Sequence, residues 1–508
     1  MSNLSGYDSE SVGFDSVSNS KRSETSSSTQ TSDFSESGVG SQTNFAQDCG
    51  STAKPEELNA EDDILKEYPP PGLNAFLRKV VPGMLEQLNQ NDIEMLYNSS
   101  DSEEEEALTA RLVQDMKTNS GTPALGSGDH QTASILSLSW SSAANSLAIS
   151  LGQSQHEKWC EHEGLIRIYT VKRSAGDKLV HSLDISEKNC VTVVKYHPSL
   201  AAMLAYATTS GEVVLCNLRD AGNLSEGMQL TSPSGCHGSR AVSALHWADA
   251  TLANQFLTMQ IRNTGKRRGA SDQVLISSGS DGTINVWQVN SNLKIFENII
   301  CFSINGSRKL VAPDISCFDF IKSYPLRPSD EKTADDVFVV GTKTGSLFLC
   351  KLKSGQKLGD SKLVDPVYDV LDGHGTCVLD LAFSLQRPHI FASLSIDSEL
   401  RVYDIHQATP LKVICLDSPV SCMSWLPSNP GVLVLGLARA DKALVKLFNV
   451  ASGRPVPVEG LVGSGTVTAV AVNQSGVCRI AAGDSEGYLR VWEVPARRIR
   501  LSPEDLEF

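Results

Sequence analysis

Apolar residues along this chain recur in two alternating columns, and the columns carry the fold. The first column is an apolar residue, two others, a second apolar residue, one more, and then usually an aromatic. It reads ILSLSW ending at Trp140, VTVVKY at Tyr196, VSALHW at Trp247, ISCFDF at Phe320, VLDLAF at Phe383, VSCMSW at Trp425 and VTAVAV at Val472. The second column is a short β-type run ending in an aromatic or a cysteine: LIRIY at Tyr169, VVLC at Cys216, TINVW at Trp287, LFLC at Cys350, LRVY at Tyr403, VKLF at Phe448 and LRVW at Trp492. Seven copies of each alternate strictly. Second-column anchors lie 44 to 71 residues apart, and the three shortest spacings of 44, 45 and 47 approach the ~40–45 of a four-stranded propeller blade. The longer units are blades with insertions, which the pattern places as surface loops near 219–239, 251–272 and 322–336.

Turn chemistry supports the same phase. A tight hairpin needs a residue that tolerates positive φ, and five residues before the anchors stand Gly164, Gly211, Gly282, Gly345 and Gly487, with Ser398 and Ala443 in the other two units. Residues 131–496 are therefore predicted to be all-β, a seven-bladed β-propeller. A single blade cannot bury its faces alone, so the seven should close into a ring. Either 104–117 or the tail after Val494 can supply the strand that closes it, and 497–508 are assigned to a C-terminal tail.

At this point the chain resembles the WD-repeat family, most plainly at SGSDGTINVWQV (Ser278 to Val289) and GDSEGYLRVWEV (Gly483 to Val494), and residues 374–405 read as one nearly complete repeat. The resemblance implies that an Asp of the inner hairpin, Asp281 or Asp397, bonds a His of the preceding loop, and that Trp287 and Trp492 anchor their blades. Only the fifth unit is expected to hold both members of the pair, His374 and Asp397. The other blades should rest mainly on apolar packing.

Charge is distributed unevenly. Of 59 acidic and 44 basic residues, 22 and 8 fall in residues 1–120, so an acidic N-terminal region precedes a nearly neutral body. Neither part is basic enough for phosphate recognition, which excludes nucleic acid from the expected partners. MSNLSGYDSE has no leader-like pattern and no run of ~18 apolar residues occurs, so no membrane role is expected and the protein is placed inside the cell. Twelve scattered cysteines without a CxxC pair suit reduced, mostly buried thiols.

Residues 1–62 are rich in Ser, Thr, Gly, Asn and acids, too poor in aliphatics to offset ordering entropy, and are expected to be disordered in isolation. Within them stand Thr29-Gln30-Thr31 and Ser41-Gln42-Thr43, their glutamines 12 residues apart. Such a segment can add as a strand to a partner's sheet edge. The two motifs resemble those read by the small dimeric dynein light chain, with the Gln and the following Thr as anchors. Their spacing reaches up to ~40 Å at ~3.3 Å per residue, enough for two light-chain dimers side by side, and a second motif would raise avidity through effective concentration. The alternative for this region is a solvated spacer.

Residues 63–130 form an acidic linker with amphipathic pieces. Leu73, Phe76, Leu77 and Val80 fall on one helical face, Pro82-Gly83 should end that helix, and Met84, Leu85 and Leu88 begin a second stripe. Such helices either pack on their own domain or dock on a partner. The serine and glutamate cluster at 99–106 reads as a charged linker or a phosphorylation site.

The search for chemistry finds no phosphate-binding, dinucleotide or zinc-protease motif. His156 and His162 sit six apart in a hairpin loop, an unsupported spacing for zinc. No catalytic residue, metal or cofactor is expected.

Taken in order, acidic tail with tandem motifs, amphipathic linker and propeller, the chain resembles dynein intermediate chains. Within that family, HEKWCEHEGLIRIYTV, SDGTINVWQ and AAGDSEGYLRVWEV are most similar to the smaller intermediate chains of cytoplasmic dynein 2, the retrograde motor of intraflagellar transport. The resemblance implies a non-catalytic subunit whose propeller holds the tail of a dynein heavy chain. It implies a tail that recruits the dimeric light chain and pairs with a second intermediate chain, and helices near 73–88 that bind a roadblock-type light chain. Its implied location is the cytoplasm, cytoskeleton and cilium, including the ciliary base. Two alternatives stay open: a cytoplasmic or axonemal dynein intermediate chain, and a WD-repeat adaptor outside dynein.

Overall fold

The structure, a computed structural model, describes residues 72–82 except 74, 108–118 and 133–499. The last stretch has gaps at 155–161, 173, 175, 220–228, 265–268, 270–271, 306–311, 322–335, 353–355, 358–362, 430, 440–442 and 475. The chain divides into two units, residues 1–103 and 104–508. Of the first, only a helix at 73–82 is described.

The second unit is a seven-bladed propeller of antiparallel sheets. First-column runs are the innermost strands and second-column runs the third strands. Blade 1 is Ser134–Trp140, Ser146–Gly152, Gly164–Lys172 and Lys178–Glu187, and the later blades repeat this order through blade 6, which ends at Arg454–Val456. Second strands such as Val337–Thr342 are buried at every position, because both faces of a middle strand meet neighbouring blades; the sequence answers with a continuous apolar run rather than alternation.

Each innermost strand carries a bulge near its start, directly after the first residue in blades 2 to 7 and after the second, Ile135, in blade 1. Several of the skipped residues are hydroxylic, and they link blades. Thr192 Oγ1 donates to Val242 O at 2.7 Å and Ser421 Oγ to Val467 O at 2.6 Å, while Thr468 Oγ1 reaches Ile135 O across the seam between blades 7 and 1. The aromatic at the far end of the strand points the other way. Trp140, Trp247 and Trp425 donate their indole N–H to Ala471, Lys195 and Ala382 O at 3.2, 3.1 and 3.0 Å, each on the preceding blade. One strand thus holds the next blade near its start and the previous blade near its end.

Closure comes from the N-terminal side. Arg111–Lys117 pairs antiparallel with Tyr488–Glu493 as the outer strand of blade 7, so these residues, assigned by sequence to the 63–130 linker, are part of the ring. Leu108–Thr109 first pairs with Val458–Glu459 beside blade 6. Ala110 N–H donates to Glu459 O at 2.7 Å, and Thr118 N–H and Oγ1 both reach Gly487 O, at 2.8 and 2.7 Å. The other candidate, the segment after Val494, instead packs Val494, Ala496 and Ile499 into the core shared with Ala110, Leu426 and Val450.

The insertion expected as a loop at 251–272 contains a helix, Ala250–Thr264. Asp249 caps it, its Oδ1 accepting Leu252 N–H at 2.8 Å. Leu252, Ala253, Phe256 and Leu257 are buried, with Phe256 edge-on to Phe320 at 6.4 Å. A second insertion, between the third and outer strands of blade 4, lays Leu363–Asp365 parallel to Phe296–Ser303 and covers the free edge of blade 3.

Candidate functional site

Polar side chains that pin one blade to the loop before it are the first candidates. Blade 3 has the complete set. Trp287 Nε1–H donates to Ser277 Oγ at 2.9 Å, and Ser277 Oγ lies 2.8 Å from His237 Nε2. His237 Nδ1 lies 3.3 Å from Asp281 Oδ1, and Asp281 also accepts from Thr283 N and Oγ1 at 3.1 and 2.7 Å. Burial pushes the Asp281 carboxyl up, but the bonds from His237 and Thr283 outweigh it and hold it below the usual carboxylate range. This corrects the sequence expectation that only the fifth blade holds a His and Asp pair.

Blade 5 departs from expectation in the other direction. His374 Nε2 meets Ser393 Oγ at 2.7 Å, but its Nδ1 is 3.2 Å from Glu399 Oε2, while Asp397 bonds Ser395 Oγ two residues away. Glu399 occupies the place that Thr283 has in blade 3, and its longer side chain reaches the imidazole. Burial lowers His374 below the usual imidazole range, with the Glu399 bond only partly offsetting it. Tyr403 stands where Trp287 stands and donates its hydroxyl to Asp372 O at 2.6 Å. In blade 7, Ala482 replaces the serine, and the buried Trp492 Nε1 has no hydrogen-bond partner.

A further position escaped the sequence reading. Two residues before the anchor, five blades carry Arg167, Asn285, Arg401, Lys446 or Arg490. Four of these side chains reach the segment leading into their own blade: Arg167 to Thr118 O, Asn285 to Cys236 O at 3.0 Å, Arg401 to Gly373 O at 2.7 Å and Lys446 to Ser418 Oγ at 3.3 Å. Arg490 instead joins Asp484 at 3.0 Å and Asp115 of the closing strand at 3.3 Å. The signal was present in IRIY, INVW, LRVY, VKLF and LRVW. Each has a polar residue where plain alternation allows one, so nothing marked it as more than surface.

The turn glycines divide by purpose. Gly211, Gly282, Gly345 and Gly487 have φ of +88°, +80°, +87° and +80°, and Ser398 adopts +64° without being glycine. Gly164 is required by space instead, since a Cβ there would stand 2.3 Å from Asn189 O.

Ionisable groups also lie on the innermost strands. His246 Nδ1 lies 3.2 Å from Asp319 Oδ1. Asp319 Oδ2 accepts Phe383 N–H at 2.9 Å, and Asp380 Oδ2 accepts Met423 N–H at 3.0 Å. These contacts join blades 3 to 4, 4 to 5 and 5 to 6. Among the described residues no group of three potential ligands is placed to hold a metal, and the ten described cysteines form no disulfide. No helix among them is long and apolar enough to cross a membrane.

The helix at 73–82 has a different surface. Leu73 and Val80 are half-buried, but Phe76, Leu77 and Val81 are 60%, 41% and 38% exposed. Thr29, Gln30, Thr31, Ser41, Gln42 and Thr43 lie outside the described residues, as do Met84, Leu85 and Leu88.

The family model described as WD domain, G-beta repeat, matches residues 366–404. That span is the outer strand of blade 4 followed by the three inner strands of blade 5. Across the longer chain, this protein is 22% identical over 461 residues to cytoplasmic dynein 2 intermediate chain 2 of Homo sapiens, covering 87% of this chain and 79% of that one. The Mus musculus protein of the same name is 22% identical over 472 residues, covering 90% and 82%. The dynein intermediate chain 2, ciliary, of Heliocidaris crassispina is 23% identical over 282 residues, covering 54% and 34%. The chain is thus similar to WD-repeat dynein intermediate chains over most of its length.

Proposed function

We propose that this chain is a non-catalytic intermediate chain of a dynein motor, with cytoplasmic dynein 2 and retrograde transport in cilia as its setting. The observation that carries the reading is the extent of the likeness. An alignment covering 87% of the chain is more than residues 108–499 alone supply, so it runs from the ring into the N-terminal region, where a propeller adaptor unrelated to dynein has no reason to agree. The likeness to the ciliary chain covers 54%, which favours dynein 2 over an axonemal motor.

In this reading the ring holds the heavy-chain tail. Thr29 to Thr31 and Ser41 to Thr43 recruit dimeric light chains, which pair the copy with a second intermediate chain. The exposed stripe of Phe76, Leu77 and Val81 is the docking face for a roadblock-type light chain, since burying such side chains stabilises an interface by roughly 1.5–3 kcal/mol each. His246, Asp319 and Asp380 serve the fold, because their polar atoms are engaged with neighbouring blades, and the motor's ATPase resides in the heavy chain.

Affinity purification of the full chain from ciliated cells tests this, alongside a Gln30→Ala/Gln42→Ala variant. The expected result is a dynein 2 heavy chain with both preparations and the dimeric light chain with the unsubstituted chain alone. Recovery of an axonemal heavy chain would move the protein to that motor. Recovery of no dynein subunit would overturn the reading in favour of a general propeller adaptor.

A further inference from the structure

The aromatics that end the innermost strands meet the preceding blade, and blade 2 breaks the pattern. Trp140, Trp247 and Trp425 each donate an indole N–H across a seam. Tyr196 holds the same place in blade 2, is 6% exposed, and has a hydroxyl that no described residue bonds. It lines a recess of about 240 Å³ between blades 1 and 2. Ile168, Leu183 and Leu218 give the recess apolar walls, and Thr170 and Ser182 add hydroxyls that are likewise unengaged among the described residues.

The seam between blades 3 and 4 shows what such a place takes. There the connection from first to second strand carries the helix Ala250–Thr264, and its Phe256 lies edge-on to Phe320, the counterpart of Tyr196. Ile299, left without a ladder partner by a bulge in the outer strand of blade 3, packs against the same cluster. In blade 1 the corresponding connection is only residues 141–145, and the bulge residue is Ser182. Blade 1 therefore has neither the helix nor the large side chain that fill the equivalent space in blade 3.

We infer that this recess is the docking site for an amphipathic helix of a partner protein. The helix seats one apolar residue, Phe or Leu, against Tyr196 as Phe256 sits against Phe320, and carries acidic residues beside that anchor. The acidic requirement comes from the rim. Lys172 shares a sheet face with Ile168 and Thr170, because strand side chains alternate, and Lys178 is its partner across the ladder. Arg219 follows Leu218 on the blade 2 side, and all three basic residues are exposed. The neighbouring acids are already engaged, Asp184 by Arg167 and Asp177 by Arg479. The hydroxyls of Tyr196, Thr170 and Ser182 then serve polar groups flanking the anchor. The recess belongs to the ring itself, so it stands apart from the dynein assignment.

The probe is a fluorescein-labelled peptide of residues 249–264, which brings its own cap in Asp249. It carries Thr251→Glu and Thr258→Glu on the face that the helix leaves exposed. Titrated with the full chain at low salt, its anisotropy should show saturable binding. That binding should weaken at least tenfold with Ser182→Trp or Ala201→Trp on the chain or with Phe256→Ala in the peptide, and about threefold with Tyr196→Phe. Raising salt to about 0.5 M should weaken it severalfold. The two Trp variants fill the recess from opposite blades, and an unchanged Tm shows that each is folded. Absence of saturable binding, or binding that both Trp variants leave intact, overturns the inference. So does self-association of the unsubstituted chain that Ser182→Trp abolishes, since that gives the recess to a second copy.

Discussion

Replacing Ser277 by Ala tests the pinning network of blade 3 at its centre. Ser277 Oγ lies between His237 Nε2 at 2.8 Å and Trp287 Nε1 at 2.9 Å, and all three residues are 0–1% exposed. The substitution strands a buried indole N–H, at about 1–3 kcal/mol, and leaves His237 Nε2 only the longer contact with Asn285 Nδ2 at 3.4 Å, at about 1 kcal/mol, so a total loss of about 2–4 kcal/mol is expected. Per-residue unfolding entropy summed over roughly 370 ring residues gives about 0.8 kcal/mol per degree, which converts that loss into a Tm lower by about 3–5 °C. Scanning calorimetry of the full chain measures it. Adding Trp287→Phe removes the stranded donor, so the double variant should be less destabilised than the sum of the singles by about 1–2 kcal/mol. A Ser277→Ala Tm within 1 °C of the original, or strict additivity, would refute the reasoning. Blade 7 gives the mirror experiment: Ala482→Ser offers Trp492 Nε1 the acceptor it lacks and should raise Tm by about 1–2 °C.

Two further outcomes follow from the closing strand and the turns. Deleting residues 1–118 removes the outer strand of blade 7 and should abolish cooperative unfolding, with recovery on adding a peptide of residues 104–118, whereas deleting 1–103 should leave Tm unchanged; calorimetry separates them. Gly345→Ala combines φ of +87° with a Cβ 2.2 Å from His374 O and should cost more than ~2 kcal/mol in denaturant titration, whereas Gly176→Ala, at +70° with open space around it, should cost about 1.

Blade number and strand order were readable because the anchors recur with the period of one supersecondary unit. The closing strand was ambiguous because RLVQDMK lies on the rim, where Leu112 is 48% exposed and burial imposes no strong pattern. His237 was missed because it sits in a long insertion, in the order Cys-His-Gly rather than as a conspicuous motif ahead of the next column. In blade 5 the expected Asp397 lost His374 to Glu399, a choice set by side-chain reach that spacing does not encode. The helix at Ala250–Thr264 carried a legible stripe in Leu252, Ala253, Phe256 and Leu257, which the search for strands passed over. Of the proposed partner sites, the stripe around Phe76 was readable from helical periodicity, and its exposure came only from the structure.

Ring closure by Arg111–Lys117 also sets a timetable for synthesis. The strand leaves the ribosome early, but its partner Tyr488–Glu493 is made some 370 residues later, about 20–75 s at 5–20 residues per second. Throughout that interval six blades can stack while the first-made strand waits unpaired. In the proposed dynein role the N-terminal motifs emerge earlier still, so light chains would meet the nascent tail before any complete propeller exists to meet a heavy chain. Assembly would then run from tail to ring, in the order of translation.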